Sequence, residues 1–93
     1  MASDPTTELI EALDQVTMIL RDSNENHWAA WLENDRGRIA NGDFYGVEHL
    51  LQAFGGMGSF NDLVLTEPDK DLRVRALRET IYDHATALKR ARR

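Results

Sequence analysis

Apolar positions along the 93-residue chain recur every three or four residues in four separate segments, the spacing of helices that bury one face. In the first, Leu9, Leu13, Val16 and Leu20 form the stripe, widened by Ile10, Ala12, Thr17 and Ile19. Ser3 or Asp4 suits an N-cap, and Pro5 suits a first turn that has no use for its missing amide donor. The polar run from Arg21 to Asn26 closes the pattern, so the spacing predicts a helix over about 5–22. A second helix runs from Asn24 or Asn26 to Ala40, with Asn41-Gly42 as its stop. Trp28, Trp31, Leu32 and Ile39 share one of its faces, and Asp35 falls in the middle of that face; Gly37 lies opposite.

A third helix starts at Asp43 as N-cap, with Val47, Leu50, Leu51 and Phe54 at helical spacing and Phe44 beside them. Tyr45, Glu48, His49 and Gln52 fall on its solvent side, and Gly55 is the expected left-handed terminator. The stretch Gly55-Gly56-Met57-Gly58 cannot sustain a helix and predicts a tight reversal. Ser59-Phe60-Asn61-Asp62 has the form of a capping box with a shortened acid, so a helical turn is expected there. After Thr66-Glu67-Pro68-Asp69, a fourth stripe of Val74, Leu77, Ile81, Ala85 and Leu88 runs to a basic end. The expected fold is all-α: one compact four-helix domain over residues 1–93 with a glycine-rich corner between helices 3 and 4. A short β-hairpin through 57–65 is the alternative at that corner.

Charge changes this picture by dividing the chain. Residues 1–69 carry three basic and thirteen acidic side chains; residues 70–93 carry eight basic and three acidic. The simplest expectation is compensation, with a basic last helix against an acidic body and its final turn complementing the helix dipole. A net charge of −5 argues against nucleic acid as partner. The absence of cysteine excludes disulfides, thiolate metal sites and a thiol nucleophile. No apolar run reaches the ~18–20 residues of a membrane span, and the N-terminus lacks the features of a secretory signal. The expectation is a cytoplasmic protein without a membrane role.

Little catalytic chemistry is assembled. No phosphate-binding loop, paired-histidine metal motif, calcium loop or dinucleotide fingerprint occurs, so neither a cofactor nor a metal is expected. Asp35 is the best single acid–base candidate, because apolar neighbours would desolvate it. Hydrogen bonding by an indole N–H, by Arg38 or by an amide of the glycine loop is the more economical reading. Trp28 and Trp31 at helical spacing read as core. His49 reads as plain surface, and His84 as a histidine bordering the stripe of the last helix.

The strings Trp28-Ala29-Ala30-Trp31-Leu32, Arg38-Ile39 and Gly42-Asp43 resemble a family of small bacterial proteins of unassigned function. So do Leu50-Leu51-Gln52-Ala53-Phe54 and Gly55-Gly56-Met57-Gly58-Ser59 followed by Asn61-Asp62-Leu63. The likeness spans about 28–65 and implies a small bacterial domain; it brings no activity, ligand or catalytic residue. Small acidic proteins of this kind often accompany toxins, which adds an association to the physical reading.

Taken together, these features point to a non-enzymatic protein-binding module, an immunity- or antitoxin-like inhibitor of a basic partner such as a toxin or effector. An acidic field speeds encounter with such a partner. The expected surface is Asp43, Tyr45, Met57, Phe60, Asn61 and Asp62, with carboxylates replacing substrate phosphates and Met57 and Phe60 as apolar anchors. The alternatives are a homodimer or larger homo-oligomer through the helix 1 stripe and Met18 or Leu72, and a small metal-dependent hydrolase using Asp35, Asp62 or Asp83.

Overall fold

The computed structural model describes residues 4–55 and 58–91. Its elements are α1 (Pro5–Asp22), α2 (Asn26–Ala40), α3 (Tyr45–Gln52), a 3-10 turn (Phe60–Asp62) and α4 (Pro68–Ala91), with no strand among the described residues. The all-α, four-helix expectation is met. In place of the alternative hairpin, residues 58–65 form the single 3-10 turn followed by unpaired extended chain.

The ends of the helices follow from local chemistry. Asp4 caps α1 by accepting the Thr7 N–H at 2.9 Å, and Pro5 occupies the first turn. Both α1 and α2 stop in the same way. Beyond α1, Asn24 takes φ 61°, so that Asn24 N–H donates to Arg21 O and Glu25 N–H to Leu20 O. Beyond α2, Gly42 takes φ 79°, with Gly42 N–H on Ile39 O and Asp43 N–H on Arg38 O. Each is a paired-bond reversal that uses carbonyls the helix leaves unpaired. The end of α3 differs from expectation. Ala53, Phe54 and Gly55 N–H groups donate three residues back, to Leu50, Leu51 and Gln52. The helix therefore tightens into a 3-10 turn, and Gly58 rather than Gly55 adopts the left-handed backbone, at φ 76°.

The four apolar stripes meet in one core. Leu9, Leu13, Val16 and Leu20 of α1, Leu32 of α2, Leu50 of α3 and Val74 and Ile81 of α4 are fully buried, as is Phe60 from the corner. Burying a side chain of that size stabilises by roughly 1.5–3 kcal/mol. The helices pack as expected for compensation in part only. Lys70 Nζ of α4 bonds Asp22 at 2.6 Å, while Arg21–Glu33 and Arg36–Asp14 join α1 to α2. Two further α4 side chains were not foreseen. Buried Arg78 donates through Nη1 to the carbonyls of Phe60 (3.0 Å) and Leu63 (2.7 Å). Buried Asp71 accepts the Leu65 N–H at 2.9 Å. Together they satisfy backbone groups of the corner that no helix or strand can satisfy.

α3 reaches α2 through Gly46. A Cβ there would lie 2.8 Å from Arg38 Cβ and 3.0 Å from the Asp35 carbonyl oxygen. Gly37, by contrast, has nothing within 4 Å of that position. Gly46→Ala is therefore expected to destabilise the protein by about 1–3 kcal/mol. Gly37→Ala should stabilise it by roughly 0.5–1 kcal/mol. Urea denaturation of the two variants checks the contrast.

His84 ties α4 to α1: Nε2 lies 2.6 Å from Glu8 Oε2 and Nδ1 lies 2.8 Å from Thr80 O. Both partners are acceptors, so both ring nitrogens donate and the imidazolium is favoured. The Glu8 bond first, and the Thr80 carbonyl second, raise its pKa above the ordinary 6.5. The resulting stabilisation is complete below pH 6.5 and is lost as pH rises through the folded value. The stability gap between wild type and His84→Gln should therefore shrink on titration from acid to alkaline pH, as followed by denaturation midpoints.

Candidate functional site

The most unusual chemistry lies where α2 meets α3. Asp35 is 0% exposed, in the middle of the apolar face where its spacing places it. Its closest partner is not among those expected, although Arg38 and the Trp31 indole are near enough to favour its charged form weakly. His49, four residues after Tyr45 on α3, brings Nδ1 to 2.7 Å from Asp35 Oδ1. His49 is thus not plain surface. Its ring stacks on Trp31, with centroids 4.3 Å apart and planes at 18°, and its side chain is 26% exposed. The close approach at Gly46 makes this possible, because α3 lies against Arg38, Asp35 and Ile39 and lowers His49 onto the carboxylate.

Burial pushes the Asp35 carboxyl above its ordinary range. The His49 hydrogen bond and charge oppose that rise most, with smaller help from Arg38 and the Trp31 indole. Oδ2 of Asp35 and Nε1 of Trp31 are both buried without a hydrogen-bond partner among the described residues. With Asp35 ionised, His49 Nδ1 donates the hydrogen bond of the pair. A carboxylate that orients a histidine in this way can support a general base, but that chemistry also needs a substrate group within reach of Nε2. No hydroxyl of the described residues is bonded to His49. The arrangement also fixes a surface.

That surface is built around Tyr45, which is 51% exposed. Its ring lies 5.9 Å from the His49 ring, and the Arg38 guanidinium sits over it at 5.2 Å. Asp43 holds the segment in place, since its Oδ1 accepts the Tyr45 N–H at 3.0 Å while Oδ2 lies 3.4 Å from Arg38 Nη1. Asp43 is therefore not the N-cap expected of it: Phe44 stands at the N-cap with no side-chain capping bond, and Asp43 steadies the first turn from one position earlier.

The six residues expected to form one binding surface divide. Asp43 and Tyr45 come together at the start of α3. Phe60 is no surface anchor: it is 0% exposed, drawn inward by Trp28, Phe54 and the Arg78 guanidinium. Asn61 and Asp62 are exposed, but Asn61 borders a depression on α4 that shares no residue with the one bordered by Asp43. Asp62 accepts the Gly58 N–H at 2.9 Å and steadies the corner. Ser59 makes no capping bond, and its buried hydroxyl has no partner among the described residues, so the capping box is not closed. Met57 lies outside the described residues. Among those described, no three His, Asp or Glu side chains gather into a metal-holding group.

Ring contacts continue inward from His49. Trp31 lies 5.3 Å from Trp28, Trp28 lies 5.7 Å from Phe60, Phe60 lies 5.8 Å from Phe54, and Phe54 lies 5.4 Å from Tyr82. This row links the α2–α3 surface to the outer face of α4.

A family model for a domain of unknown function (DUF6966) matches residues 21–73. The chain belongs to this family. The DUF6966 segment contains the whole Asp35–His49–Tyr45 arrangement and the corner, but neither the body of α1 nor the basic end of α4. Comparison with curated proteins and with solved structures gave no match.

A double-mutant cycle tests the buried pair. Asp35→Ala and His49→Ala, alone and combined, should show a coupling energy of about 1–3 kcal/mol in urea denaturation at neutral pH. Each single variant should also alter Trp31 fluorescence. Additive effects would mean that the carboxylate does not hold the ring.

Proposed function

We propose that the chain is a non-enzymatic binding module for one protein partner, of the bacterial immunity or antitoxin type, which blocks a basic partner through the α2–α3 surface. The observation that carries this reading is the half-exposed Tyr45, held between Arg38 and a His49 that is itself fixed by a buried carboxylate. Burying Asp35 costs stability, and its return is a rigid Tyr–Arg–His cluster. Tyr and Arg are enriched among residues that dominate binding energy, and a preordered aromatic loses little entropy on docking.

Charge supports the choice of partner. Asp43 and Glu48 flank Tyr45 and are exposed, on a chain of net charge −5. They would occupy cationic subsites that otherwise receive phosphate, while Tyr45 fills an apolar notch and excludes substrate. Self-association is the second reading, favoured by the exposure of Met18 (74%) and Leu72 (64%).

The test is affinity capture from the source cells, followed by titration of the captured partner against wild type and an Asp43→Ala, Tyr45→Ala double variant. A basic partner that binds in a salt-sensitive manner and loses at least about tenfold in affinity to the variant is the expected result. A chain that captures no basic protein and scatters light as a dimer would overturn it in favour of self-association.

A further inference from the structure

On the outer face of α4 the protein reverses its charge. Two depressions, of about 410 and 380 Å³, lie on either side of the Phe54–Tyr82 ring pair, which they share as a common wall. The first is bordered by Arg75, Arg78 and Glu79, the second by Lys89 and Arg90. The lining thus holds four cations against one carboxylate, on a chain whose total is −5. Arg78 is committed to the corner carbonyls, but Arg75 pairs with Asp71 through Nε alone and its side chain is 57% exposed, so its Nη groups remain open on that side. Lys89 and Arg90 have no ion pair or hydrogen bond among the described residues. Tyr82 is 47% exposed, with its ring 5.4 Å from that of Phe54.

We infer that this trough docks an acidic segment of a partner protein, with an apolar side chain against Tyr82 and carboxylates reaching the cations on both sides. The dimensions fit. Arg75 and Lys89 each lie seven residues from Tyr82, or about 10 Å along the helix. The two cationic ends are therefore about 20 Å apart, the span of roughly six residues of extended chain. Charge complementarity selects a peptide over a nucleic acid. Glu79 lies inside the trough, where a continuous phosphate backbone would meet it. A peptide with carboxylates only at its ends avoids it. This surface uses none of Arg38, Asp43, Tyr45 or His49, so it stands whether or not the α2–α3 surface binds a basic protein. With both in use, the chain would join a basic partner to an acidic one.

The experiment is fluorescence anisotropy on the full chain with labelled six-residue peptides. One probe carries two carboxylates at each end and a Leu-Phe centre. A second replaces the acids by lysine, a third replaces the centre by serine, and a single-stranded oligonucleotide is the fourth. Only the first should bind saturably, and raising the salt concentration should weaken it. Lys89→Glu with Arg90→Glu should reduce affinity at least tenfold, as should Tyr82→Ser, with helical circular dichroism unchanged; Tyr45→Ala should have no effect. Amide shifts on peptide addition should map to α4 and Phe54. No saturable binding, equal binding of the lysine peptide, preference for the oligonucleotide, or indifference to the Lys89/Arg90 change would each overturn the inference.

Discussion

The approach of α3 to α2 at Gly46 is the constraint on which the rest of the candidate site depends. A side chain at that position would collide with Arg38 Cβ and the Asp35 carbonyl oxygen, so only glycine lets the backbone come this near. The reversal through Gly42 sets the angle of approach, and Asp43 fixes the first turn by accepting the Tyr45 N–H. Once α3 lies there, His49 has no choice but to stand over Asp35 and against Trp31. A buried carboxylate that would otherwise be a liability acquires a donor, and an imidazole that would otherwise move freely acquires an orientation.

The corner is stabilised by a different device. Its chain forms neither a long helix nor a strand, so its carbonyls and amides need partners from elsewhere. α4 provides them from two charged side chains near its N-terminal half, Asp71 to the Leu65 amide and Arg78 to the carbonyls of Phe60 and Leu63. Burial lowers the Arg78 pKa, and the carboxylates of Asp71 and Asp62 act against that fall. Phe60 then enters the core beneath the guanidinium. An irregular segment thus finds partners for its backbone in side chains, at the cost of placing charge where apolar residues would pack more simply.

Much of the fold was legible because period alone decides it. Leu9, Leu13, Val16 and Leu20, or Val74, Leu77, Ile81 and Ala85, can share a face only in a helix, and Asp4, Pro5, Gly42 and Pro68 mark two of the starts and one of the stops. The burial of Asp35 was legible for the same reason. Its partner was not. A helical projection places His49 outward from its own axis, but whether a neighbouring helix covers it depends on the distance between axes, which Gly46 sets. Arg78 and Asp71 were hidden for a related reason. Their partners are backbone groups of a segment without period, 15 to 18 residues away for Arg78 and 6 away for Asp71. Phe60 read as an exposed anchor because a glycine-rich surround suggests a surface loop, whereas the clamp by Arg78 turns that loop inward.

The row of rings from His49 to Tyr82 has an optical consequence. Both indoles of the protein stand in its first half, with a stacked imidazole on one side and a core phenylalanine on the other. Tryptophan emission is therefore not an average over scattered reporters but a reading of one spot. Anything that lifts the imidazole or shifts the phenylalanine changes the surroundings of the same pair, so the molecule carries its own dye between the α2–α3 surface and the core.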